Sequence, residues 1–175
     1  ITRYQEQLVR DTSRVWQQRI LPTHHAMHTE DAGHFHVEEA ARLVSKSAGQ
    51  LSLVYVDSEK KQQIQVQPRE FDSVSFDGNW DGAYFLLHSK NLANLQPLEK
   101  SAPKGAAWYV YQTKQQRLTV LWSTIWQLPL SILQENLQGL KKQHRVTITP
   151  QARLATAPWQ SISHYAVKDF LDTLD

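Results

Sequence analysis

Two runs of β-branched and aromatic residues, Trp108-Tyr109-Val110-Tyr111 and Leu118-Thr119-Val120-Leu121-Trp122, flank the polar turn Lys114-Gln115-Gln116. That is the pattern of a β-hairpin, and it limits the fold more than any other feature of the chain. Short turns join antiparallel strands, whereas parallel neighbours need crossovers of a dozen or more residues. A second hairpin is predicted from Leu51–Val56 and Gln62–Gln67, joined by the polar turn Asp57–Lys61. In its second strand Ile64 and Val66 alternate with glutamines, so one face is covered and the other solvated. Arg145–Thr149 alternates as a further strand, Phe71–Phe76 and Ala83–Leu87 have strand length, and Asp77-Gly78-Asn79 marks a turn.

Other segments carry helical spacing. Ile1, Tyr4, Leu8 and Val15, widened by Val9, Trp16 and Ile20, predict a helix over residues 1–21, with Asp11 interrupting the stripe and Pro22 ending it. Val37, Ala40, Ala41 and Val44 predict a second helix over 36–48, with Gly49 as a left-handed cap. Leu92 and Leu95 suggest one helical turn within the connection Asn91–Gly105. Pro129 suits a first helical turn, and Leu130, Leu133, Leu137 and Leu140 follow it as a stripe up to Lys141-Lys142. Ile162, Tyr165, Ala166, Phe170, Leu171 and Leu174 predict a last helix over 161–175. The expected fold is therefore α+β: an antiparallel sheet with helices packed on one face, framed by a long N-terminal helix and a C-terminal helix. It reads as one domain, 1–175, with the binding core in 22–160.

Composition closes several routes. Apolar residues make up 41% of the chain, too many for a disordered tail. Nineteen Lys and Arg against seventeen Asp and Glu give a net charge of only +2, without the basic cluster that duplex binding needs, so nucleic acid is not an expected partner. No apolar run has the length of a membrane-spanning helix. Cysteine is absent, which excludes disulfides, thiolate zinc sites and thiol nucleophiles, and inclines the expectation toward a location outside the cytoplasm. With six glycines there is no phosphate-cradling loop, and no G-x-S-x-G nucleophile elbow occurs.

Two groups of residues carry site chemistry. His24, His28, His34 and His36 lie in a histidine-rich stretch that also holds Glu30, Asp31, Glu38 and Glu39. At helical and strand spacing, such imidazoles can hold zinc or nickel without cysteine; the same stretch reads equally as a solvated loop. Trp80, Tyr84, Trp108, Tyr109, Tyr111 and Trp122 form the second group. Aromatic walls with polar tips line small-molecule pockets, and they also fill cores. On a strand, Tyr109 and Tyr111 share one face and Trp108 with Val110 the other.

The expected helices at both ends lack a start cap and a stop signal, so both are expected to continue beyond the residues given. That arrangement resembles, in element order only, the PAS-like sensor domains of the bacterial periplasm. It implies a non-catalytic, extracytoplasmic sensory or ligand-binding domain between transmembrane helices, with a homodimer through the first helix. A metal-binding protein or metal-dependent hydrolase on the histidine stretch, and an adaptor or immunity-type interaction protein located in the cytoplasm, are the alternative readings.

Overall fold

The computed structural model of the chain describes residues 2–20, 35–37, 40–138, 143–150 and 156–174. Eleven strands are present: β1 (Thr2–Arg10), β2 (Arg14–Ile20), β3 (Ala41–Ser47), β4 (Gln50–Asp57), β5 (Gln62–Val66), β6 (Gln96–Pro97), β7 (Ala106–Gln112), β8 (Gln116–Ser123), β9 (Leu128–Asn136), β10 (Gln143–Pro150) and β11 (Ala166–Asp169). Among the described residues three short helices accompany them, α1 (Trp80–Tyr84), α2 (Ser89–Asn94) and α3 (Pro158–Ser161), with 3-10 segments at Pro68–Val74 and Phe170–Thr173. Hydrogen bonding orders the strands β11-β5-β4-β3-β2-β1-β10-β9-β8-β7-β6. About half of the described residues lie in strands, and the sheet is mixed, because β11 runs parallel to β5.

The α+β expectation with long terminal helices is therefore overturned, and the PAS-like element order with it. Residues 1–21 hold two strands, not one helix. Asp11, which interrupts the stripe, makes the turn: its Oδ1 accepts the backbone N–H groups of Ser13 and Arg14, each at 2.8 Å. The misleading spacing has a physical cause. Leu8 and Val9 are adjacent and both buried, as are Val15 and Trp16. Strands covered on both faces lose the two-residue alternation, and adjacent apolar pairs also satisfy a helical stripe. The homodimer expected through that helix loses its structural element.

The expected helix over 36–48 gives way to β3. Gly49 does adopt the left-handed conformation (φ +80°), but with Ala48 at φ +51° it forms the two-residue turn between Ser47 and Gln50, which pair across β3 and β4. Of the stripe after Pro129, Leu130 and Leu133 lie on β9, where Ile132 and Leu133 serve opposite faces; Leu137 follows the strand, and Leu140 with Lys141-Lys142 lies outside the described residues. Over 161–175 the chain forms β11 and a 3-10 turn instead of a helix. Phe71–Phe76 is largely 3-10, and Ala83–Leu87 begins in α1. Both predicted hairpins, β4–β5 and β7–β8, are present.

The chain divides into two compact units, one of residues 1–6 and 81–150, the other of residues 7–80 and 151–175. In the second unit Val15, Val44, Leu53 and Val66 form one cross-strand row, with Tyr55 and Ile64 on the same face, and all six are at most 5% exposed. Phe76 lies on this side beneath the Arg42 guanidinium, 5.5 Å from the ring centroid, and packs edge-on against Phe71. The opposite face, with Trp16, Ala41, Leu43 and Val56, is covered by the C-terminal residues Trp159, Ile162 and Tyr165. The Gln63 side-chain amide fixes that cover by donating to the Ile162 carbonyl at 2.8 Å.

Candidate functional site

In the first unit, Thr113 closes the β7–β8 turn by accepting the N–H groups of Gln115 and Gln116 on its hydroxyl. The register that follows decides which aromatic residues meet. Tyr111 pairs with Leu118, Tyr109 with Val120 and Ala107 with Trp122, so these six share one face. Val120 pairs onward with Ile132 of β9, extending the face by one strand. An irregularity follows at once. Leu121 pairs with Ser131 but Trp122 with Pro129, leaving Leu130 as the extra residue of a β-bulge. Such a bulge bends the strand locally and re-aims the side chains beside it, here next to Trp122.

The face is apolar at its base. Leu87, Leu118 and Val120 are buried together, and Tyr111, Trp122, Ile132, Leu92 and Leu95 pack around them. The two leucines come from α2 and the residue after it. His88 starts that helix by accepting the Lys90 N–H on Nδ1 at 3.0 Å. Phe85 stacks at a tilt on Trp122, with centroids 6.1 Å apart, and Tyr84 meets Phe85 edge-on at 4.9 Å. Between Phe85 and Leu87 the backbone of Leu86 is left-handed, φ +60°. For a residue with a Cβ that conformation costs about 1–3 kcal/mol. It aims Phe85 and Leu87 onto one aromatic cluster.

The polar groups of this face are few and neutral. Among the described residues, none bonds the hydroxyls of Tyr109 or Tyr111 or the indole N–H of Trp122. All three side chains are half-buried. The charged pair Arg117 and Glu135 faces the other side, by register with Gln112. The face therefore offers phenol and indole hydrogen-bond donors above hydrocarbon, and no carboxylate or imidazole from β7 to β9 that could transfer a proton in catalysis.

Of the six predicted site residues, Tyr111 and Trp122 pack in this cluster, Tyr109 shares their face by register, and Tyr84 meets Phe85, which stacks on Trp122. Trp108 does not join them. It lies on the opposite face, where its Nε1–H donates to the Ser101 carbonyl at 3.0 Å and the Lys100 ammonium stands 4.2 Å over its ring. Trp80 belongs to the other unit and stacks under Lys46, 4.9 Å from the ring centroid. Phe85, Leu87, Leu92 and Leu95 were missing from the predicted set. The signal for Phe85 and Leu87 was the apolar run after Tyr84, which reads as a strand until its tertiary neighbours are known; Leu92 and Leu95 were read only as one helical turn in the connection.

His24, His28 and His34 lie outside the described residues. His36 is described and exposed. Among the described residues no group of three or more histidine, aspartate or glutamate side chains is placed to hold a metal ion. The chain matches no protein-family model, and a comparison with curated proteins found no match.

Proposed function

We propose that this chain is a non-catalytic binding domain working outside the cytoplasm, and that its ligand is a small, uncharged, largely apolar molecule held on the β7–β8 aromatic face. One observation carries the reading: Tyr109, Tyr111 and Trp122 present three hydrogen-bonding groups without a protein partner among the described residues, over an apolar base. A few polar groups on a mostly apolar wall are what orients a small ligand. The absence of cysteine fits an oxidising compartment. A sensory output would run through α2, because Leu92 and Leu95 share the cluster that a ligand would touch; a ligand shifts such packing only by binding its two states unequally.

The test is a titration with N-phenyl-1-naphthylamine, an uncharged aromatic probe that brightens in apolar surroundings. Saturable binding is expected, weakened about tenfold or more by Trp122→Ala and unchanged by Trp108→Phe on the opposite face. A probe that fails to saturate, or that loses equal affinity in both variants, overturns the reading.

A further inference from the structure

We propose that the tip of the β8–β9 hairpin is a membrane-contact site, suited to a bilayer surface carrying anionic headgroups. Ile125 at this tip is 73% exposed, the highest value for a large hydrophobic side chain among the described residues, and half-buried Trp126 follows it. The exposure belongs to an ordered turn. The Trp126 N–H donates to Ser123 Oγ at 3.0 Å and the Gln127 side-chain amide to the Thr124 carbonyl at 2.8 Å. Thr124 donates twice to the Gly105 carbonyl, through its N–H at 2.9 Å and its hydroxyl at 3.0 Å. Gly105 (φ +81°) lies directly beneath Ile125: a Cβ there would stand 2.6 Å from Ile125 Cδ1. Ile125 thus lies over Gly105 on an ordered turn, with most of its side chain still open to solvent.

Charge points to the same partner. Exposed Lys104 adjoins Gly105, and exposed Lys100 lies over Trp108, two residues along β7 from the strand's tip end. Glu99 precedes Lys100, so the tip side of the hairpin carries two lysines and one glutamate; Lys114 and Arg117 lie at the opposite end of β8. An aliphatic side chain that enters the acyl region, a tryptophan at headgroup level and lysines drawn to anionic lipid form a recognised combination for a membrane surface. A stable protein interface buries about 1,200 Å² or more, far beyond what two apolar side chains on a turn supply. Weak, reversible attachment to a bilayer draws on the sum of a small apolar insertion and attraction to anionic headgroups.

The test is co-sedimentation of the full chain with vesicles of phosphatidylcholine containing about one third phosphatidylglycerol. Binding is expected to fall with added salt and to weaken on pure phosphatidylcholine. Ile125→Asp should lower partitioning about tenfold or more with an unchanged melting temperature, since the side chain is exposed, and Lys104→Glu should lower it on anionic vesicles alone. Wild-type protein that leaves the vesicles unbound overturns the proposal, as does Ile125→Asp that binds as well as wild type. Vesicle binding indifferent to Ile125, together with a photo-cross-link from position 125 to a protein, assigns the tip to a protein partner instead.

Discussion

Asp11 and Arg14 are joined twice: the Arg14 N–H donates to the Asp11 carboxylate at 2.8 Å, and the Asp11 N–H donates to the Arg14 carbonyl at 3.0 Å. These bonds reverse the chain between β1 and β2 inside a segment whose apolar spacing is helical. Asp11→Ala should therefore cost about 1 kcal/mol, within a range of 0.5–2, because two backbone donors lose their acceptor. Asp11→Asn keeps an acceptor oxygen and should cost less. Urea denaturation of both variants checks this; equal losses would mean that charge, rather than acceptance, holds the turn.

Gly49 and Gly105 separate conformational cost from steric cost. Both have positive φ, but a Cβ at Gly49 meets nothing within 4 Å, whereas at Gly105 it meets Ile125. Gly49→Ala should lose about 1 kcal/mol, the penalty for a left-handed residue with a side chain. Gly105→Ala should lose more, and Ile125→Ala in the same chain should restore part of the difference. A double-mutant cycle by thermal unfolding measures that coupling.

Leu53 is 0% exposed, at the centre of the row formed by Val15, Val44 and Val66. Leu53→Ala should lower stability by about 2–5 kcal/mol through lost burial and the cavity left behind. Val167, 64% exposed on β11, should tolerate alanine within about 0.5 kcal/mol. Comparable losses at the two positions, read from urea midpoints, would contradict the burial assigned here.

Beside the parallel β11–β5 ladder, a side-chain bond ties the C-terminal cover to β5 among the described residues, Gln63 to the Ile162 carbonyl. Gln63→Ala should raise amide hydrogen exchange in residues 157–169 more than in β3 and β4, with a global cost of about 0.5–1.5 kcal/mol. Uniform acceleration across the strands would show instead that the cover and the sheet open as one.

Tyr109→Phe and Tyr111→Phe remove the two free hydroxyls while leaving the rings packed. The double variant should keep its melting temperature, because neither hydroxyl bonds another described residue, and should weaken the naphthylamine probe about three- to tenfold. A marked stability loss without a change in affinity would make these hydroxyls structural.

The candidate site was half legible. Alternation along β7 correctly put Tyr109 and Tyr111 on one face and Trp108 on the other, since strand geometry fixes that from sequence alone. It could not say which face Trp122 would join, nor that Phe85 would stack on it; those depend on the pairing of Ala107 with Trp122 and on the left-handed turn at Leu86. Trp80 and Trp108 looked equivalent to the others in sequence, and were separated from them by a division between units and by the side of the strand they occupy.

What the amino-acid order determined by itself is local: the two predicted hairpins, the turn at Asp77-Gly78-Asn79 and the absence of thiol chemistry. Each follows from backbone preferences or side-chain chemistry within a few residues. The tertiary structure decided whether Leu8-Val9, Val15-Trp16 and Ile132-Leu133 would lie on helices or strands, and where β11 would join the sheet. Periodicity reports a single covered face. Where a strand is covered on both, its apolar residues become neighbours in sequence, and only its hydrogen-bond partners, far along the chain, distinguish it from a helix.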